Sequence, residues 1–90
     1  TFPLLDLAVR AGREGATAPA ALNAANEEAV AAFLAGRLPF PGIAEVVTEV
    51  LARHRSPAIL DLAAVLAAER WSRGLARTLV EDLTTSRGIR

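Results

Sequence analysis

Between Ile43 and His54 the apolar positions recur as Ile43, Val46, Val47, Val50 and Leu51, closed by His54, while Glu45, Glu49 and Arg53 fall on the other side. This 3.6-residue spacing fits one face of an α-helix and no strand, and a helix with such a stripe must bury it against neighbours. Period-two alternation is missing throughout the chain, so those neighbours must be helices as well. Glu49 and Arg53 stand four residues apart in the favourable orientation for a surface ion pair.

Other segments repeat the pattern. Pro3, the spacing of Leu4, Leu7, Ala8 and Ala11, and the stop at Gly12 predict a short first helix over roughly residues 3 to 11. Gly12 through Pro19 reads as a loop. From Asn23 to Ala35 a mostly buried helix is predicted, with Ala25, Ala29 and Phe33 on one face, Val30 and Leu34 on the next, and Gly36 as its stop. Leu38-Pro39-Phe40-Pro41-Gly42 reads as a rigid turn pinned to the core by Leu38 and Phe40. After Ser56-Pro57, the residues Ile59, Leu62, Val65 and Leu66 suggest a short helix. A longer one is expected from about Glu69 to Leu83, with Trp71, Leu75, Leu79 and Leu83 inward and Glu69, Arg73, Arg77 and Glu81 as a solvent-side row. The predicted fold is all-α: a small antiparallel helical bundle of about four helices plus a short extra helix. It occupies residues 1–83, with 84–90 a polar tail expected to fray.

Composition narrows the partners. The 90 residues are 52% hydrophobic but only 4% aromatic, so the core must be aliphatic, and abundant alanine favours closely packed helices. Ten acidic residues balance ten basic ones, all arginine, which leaves no basic stripe for a nucleic-acid backbone. The longest charge-free stretch, Gly15 to Asn26, contains a proline and is too short to cross a bilayer. Neither nucleic acid nor membrane is therefore an expected partner, and the chain reads as soluble.

The means for catalysis are scarce. There is one histidine, no cysteine, no tyrosine and no lysine, which excludes a lysine-ending phosphate loop, and Gly12 with Gly15 falls short of a dinucleotide fingerprint. His54 closes an apolar stripe at a helix carboxyl end, a structural position. Glu45 and Glu49 read as a solvated face, Trp71 as core, and Arg70, Arg73 and Arg77 as a surface interleaved with Glu69 and Glu81. No catalytic, cofactor-binding or metal residue is assigned.

One segment resists this reading. In "LNAANEEAVAAFLAG", Asn23 suits an N-cap, and Glu27 and Glu28 then lie in the positive first turn. Capping needs only one asparagine, however, and Asn26 is left over. If its face is buried, its polar atoms need partners beyond their own helix. Asn23, Asn26 and Glu27 are accordingly the candidate structural or interdomain residues.

The run "LNAANEEAVAAFL", followed by "G" and "PFPGI" and preceded by "FPLLDLAVRAGREG", resembles the carboxy-terminal domain of the 1-deoxy-D-xylulose 5-phosphate reductoisomerases. The likeness is strong from Phe2 to about Leu51 and looser through "ILDLAAVLAAERWSRGLAR", where Glu69 stands about where that family has an Asp at a helix start. The resemblance implies a helical domain bracing the catalytic domain of the same polypeptide in a homodimeric enzyme. That enzyme converts 1-deoxy-D-xylulose 5-phosphate to 2-C-methyl-D-erythritol 4-phosphate with NADPH and Mg2+, Mn2+ or Co2+, in non-mevalonate isoprenoid biosynthesis. It implies a cytoplasmic protein in a bacterium, or a plastid one in a plant-type source, and a fragment that is inactive alone. The competing expectation is a free-standing helical module that binds a partner in an apolar groove.

Overall fold

The computed structural model describes residues 17–57 and 61–86. Among the described residues there are three helices and no strand: α1 (Ala18–Leu34), α2 (Phe40–Arg53) and α3 (Leu62–Ser86). The helix predicted over residues 3 to 11 lies outside the described residues, as does Ile59. The two helices expected between residues 59 and 83 are one continuous α3. Leu62 through Trp71 holds nothing but residues a helix tolerates, so nothing divides the segment. Asp61 starts it, its Oδ1 accepting the Ala64 amide at 2.8 Å in the manner of an N-cap. Residues 84 to 86, expected to open the polar tail, form its last turn, and the Thr84 hydroxyl donates to the Arg37 carbonyl at 2.9 Å.

Long-range hydrogen bonds fix the relative directions. Ser72 meets Ala21, Arg77 meets Glu28 and Thr84 meets Arg37, so α1 and α3 run side by side in the same sense. His54, after the end of α2, returns to Thr17 at the start of α1, so α2 runs antiparallel to α1.

Helix α1 begins at Ala18, five residues before the predicted start. Pro19 occupies its first turn, where a missing amide costs nothing and a fixed φ helps; the "TAPAA" stretch therefore starts the helix instead of ending a loop. The face of α1 that meets the other helices is made of Ala18, Ala21, Ala24, Ala25, Ala29 and Ala32, all buried. Against it stand Ile43, Val46, Val47, Val50 and Leu51 of α2, the stripe expected from the spacing, and Ser72, Ala76 and Val80 of α3. Phe33 and Leu34, assigned to buried faces, are instead exposed: side chains of that size do not fit where α1 is packed through methyl groups. On α3 the innermost line is likewise the small one, with Leu75, Leu79 and Leu83 half-buried beside it and Trp71 40% exposed.

The α1–α2 turn is ended at Gly36, whose φ of +77° is a left-handed conformation that glycine adopts without strain. The Arg37 amide donates to the Ala32 carbonyl at 2.9 Å and so satisfies the last turn of α1. Leu38 is buried and anchors the turn. Phe40 does not: it opens α2 and projects outward, 60% exposed. Leu38 packs directly on Gly42, where a Cβ would lie 2.6 Å from the Leu38 Cδ1.

Two glycine substitutions should therefore move stability in opposite directions. Gly42→Ala forces Leu38 out of place and should cost about 1–3 kcal/mol. Gly74→Ala, where an added Cβ meets nothing within 4 Å, should gain roughly 0.5–1 kcal/mol from helix propensity. Urea denaturation midpoints of the two variants check both signs. Asp61→Ala should cost about 1 kcal/mol through the lost cap, read in the same titration.

Candidate functional site

Two clusters of polar side chains stand between the helices. The first is a seam between α1 and α3. Glu27 and Glu28 are adjacent on α1, and Arg73 and Arg77 stand one turn apart on α3, so the parallel course of the helices brings two acids to two cations. Arg77 grips Glu28 through Nε to Oε1 at 3.0 Å and Nη2 to Oε2 at 3.1 Å, a two-pronged guanidinium–carboxylate pair. Arg73 bridges both acids, with Nη2 to Glu27 Oε1 at 2.6 Å and Nη1 to Glu28 Oε2 at 3.3 Å. The Arg77 hydrogen bond is the main reason the Glu28 carboxyl is held below the usual glutamate range, with burial opposing and the charges of Arg77 and Arg73 assisting.

The expected solvent-side row of Glu69, Arg73, Arg77 and Glu81 is thus not a row of mutual surface pairs. Arg73 and Arg77 reach across to another helix because the alanine face of α1 brings α3 close enough. Asn23 is not an N-cap: it lies inside α1, exposed, with its Nδ2 donating to Glu27 Oε2 at a long 3.4 Å. The residue at the N-cap position is Thr17, and its hydroxyl does not cap the helix. Asn26 stands apart: its Oδ1 is buried and has no hydrogen-bond partner among the described residues.

The second place is an open groove of about 410 Å³ lined by Thr17, His54, Trp71, Arg53, Arg55 and Pro57 among others. In its wall the Thr17 Oγ1 and His54 Nε2 lie 2.7 Å apart, both residues buried, and the imidazole lies 6.1 Å from the Trp71 ring. A hydroxyl against an imidazole is the pairing of a nucleophile with a base, which catalysis completes with a third group that orients the base. Among the described residues, however, no carboxylate orients the ring. Arg53 is paired with Glu49 at 2.7 Å, as the spacing predicted, and Arg55 turns to the carbonyls of Ala52 and His54. The arrangement joins the end of α2 to the start of α1, which agrees with the structural reading of His54. Trp71, expected in the core, is a groove wall.

Among the described residues, no group of three or more His, Cys, Asp or Glu side chains could hold a metal ion, and no helix is long and apolar enough to cross a membrane. Sequence reasoning missed the partners more than the candidates: Arg73 and Arg77 of the seam, Thr17 beside His54, and Ser72, whose hydroxyl donates to the Ala21 carbonyl at 2.6 Å. The signal for the first was present, since an adjacent acid pair on one helix and two arginines at i,i+4 on another are complementary.

The seam carries a pH signature. A carboxyl whose value is depressed on folding contributes stability above its unfolded value, near 4.5, and that contribution is lost as pH falls through the folded value. Glu28→Gln should therefore be less stable than wild type by a constant margin above about pH 5, with the gap closing as the pH falls below that. Melting temperatures of both proteins from pH 7 to pH 3 check it.

Residues 1–75 match the family described as the DXP reductoisomerase C-terminal domain. Among similar curated proteins, the 1-deoxy-D-xylulose 5-phosphate reductoisomerase of Symbiobacterium thermophilum is 56% identical over 77 residues, covering 86% of this chain and 20% of that protein. That of Streptomyces coelicolor is 48% identical over 89 residues, covering 96% of this chain and 21% of its own length. That of Paenarthrobacter aurescens is 51% identical over 85 residues, with coverage of 94% and 21%. The chain thus spans about a fifth of the length of the curated relatives it matches. No solved structure matches it. With a family match over most of its length and about half of its residues shared with these relatives, the chain belongs to the DXP reductoisomerase C-terminal domain family.

Proposed function

We propose that this chain serves as the structural carboxy-terminal domain of a cytoplasmic, homodimeric reductoisomerase. That enzyme would convert 1-deoxy-D-xylulose 5-phosphate to 2-C-methyl-D-erythritol 4-phosphate in isoprenoid biosynthesis, using NADPH and a divalent metal. The observation that carries the reading is the family match together with the use to which the chain's own polar groups are put. Glu27 and Glu28, the two acids of α1, are held by Arg73 and Arg77, and the single histidine is buried against Thr17. These residues do not fit a divalent metal. The domain's work on this reading is to brace the catalytic domain of the same polypeptide.

Asn26 is the residue proposed to reach beyond the bundle, with Asn23 and Glu27 holding the helix surface beside it. A buried acceptor without a donor costs roughly 1–3 kcal/mol. A donor from the neighbouring domain would remove that cost if docking turns the Asn26 side chain outward to meet it. The open groove beside Trp71, with Leu62 and Leu66 exposed on α3, favours a second reading, an independent helical module that takes a partner segment.

In an assay of NADPH oxidation with 1-deoxy-D-xylulose 5-phosphate and Mg2+, the 90-residue chain should give no turnover and the full-length protein should be active. Turnover by the chain alone would overturn the structural assignment. Asn26→Leu, which removes the orphaned oxygen at similar size, should raise the melting temperature of the chain alone and lower that of the full-length enzyme. A rise in both would remove Asn26 from the domain contact.

A further inference from the structure

Phe33 and Phe40 meet edge to face, with 5.6 Å between ring centroids and 67° between ring planes. They nevertheless stay 37% and 60% exposed, and Leu34 is 77% exposed. Pro39 and Pro41 are exposed as well, so the corner between α1 and α2 presents a continuous apolar edge.

The support beneath it is stiff. Gly36 holds its left-handed turn, the Gly36 amide donates to the Phe33 carbonyl at 3.0 Å, the Gly42 amide donates to the Pro39 carbonyl at 2.8 Å, and Leu38 is buried directly below. Aromatic rings fixed in advance lose little freedom on binding, and such rings are the usual anchors of an interface.

Size selects the occupant. Taking about 200 Å² for a whole aromatic side chain, the exposed parts of Phe33, Leu34 and Phe40 come to roughly 300 Å². Separate molecules need about 800 Å² per partner for a stable complex, so two copies meeting on this edge alone would fall apart. Domains of one polypeptide hold on smaller contacts, because the tether keeps them at an effective concentration of about millimolar. The relatives carry the necessary polypeptide, since the matching segment is only 20–21% of their length.

We propose that the Phe33, Leu34 and Phe40 edge is the surface on which this domain docks into an apolar recess elsewhere in its own polypeptide. The proposal rests on the reading of the chain as one domain of a longer enzyme.

Hydroxyl-radical footprinting of the full-length protein tests it. An undocked Phe40 should label within about two-fold of its rate in the urea-unfolded protein, whereas a docked ring, shielded from water, should label at least about ten-fold more slowly. Protection should be the same across a hundred-fold dilution. Leu34→Glu, at an exposed helical position, should restore fast labelling of Phe40. Fast labelling in the native wild type would overturn the proposal, and so would protection that fades on dilution, which assigns the edge to a second copy. NADPH-dependent turnover measured on the same sample separates the two readings. A protected Phe40 in an enzyme without reductoisomerase activity leaves the docking edge standing and sinks the proposed reaction; an exposed Phe40 in an active enzyme does the reverse.

Discussion

The alanine face of α1 is the constraint on which the other contacts depend. With Ala18, Ala21, Ala24, Ala25, Ala29 and Ala32 all buried, the neighbouring helices approach at methyl-group distance. Only at that separation can a side chain as short as Ser72 reach the Ala21 carbonyl, a hydrogen bond between two helices that is itself fully buried. The same closeness lets Arg73 and Arg77 cross to Glu27 and Glu28, and it excludes Phe33 and Leu34 from the interior. Most of the fully buried bulk comes from the valines, isoleucine and leucine of α2, joined by Val80 of α3, so the core is asymmetric: large side chains from α2 meet the alanines of α1.

That asymmetry accounts for the polar residues at the head of α1. Glu28 is pulled below the ordinary glutamate range chiefly by its hydrogen bond to Arg77, which is the opposite of what a general acid at neutral pH requires. A carboxylate kept charged by two guanidinium groups can hold a helix in place but has no proton to give. The Thr17–His54 pair has a similar character: it ties the end of α2 to the start of α1 across 37 residues of sequence. In both places the ionisable groups are used to hold one helix to another.

Much of this was legible in the residues. The α2 stripe from Ile43 to Leu51, the Glu49–Arg53 pair, the stop at Gly36 and the anchor at Leu38 follow from periodicity and backbone preference, which act over one or two turns. Other features were misread for a common reason. Asn23 looks like a cap until Pro19 is recognised as a first-turn residue. Arg73 and Arg77 look like solvent-side charges until a second helix lies beside them. Trp71 and Phe40 look like core residues by hydrophobicity alone, and Asp61, which starts α3, looks like an interior residue of a short helix spanning Ile59 to Leu66.

The sequence by itself determined that the chain is helical, where α2 lies, that the core is aliphatic, and which family the chain belongs to, because these depend on local spacing and on the unusual asparagine-bearing run Leu22 to Leu34. Only the tertiary structure decided which faces are inside. Burial is set by how near the helices come: the alanines of α1, and Ser72, Ala76 and Val80 of α3, take the interior ahead of Phe33, Leu34 and Trp71. The same geometry turned Glu27 and Glu28 from first-turn acids into a clasp between helices and left the Asn26 oxygen buried without a donor among the described residues, since both outcomes depend on atoms far away in the chain.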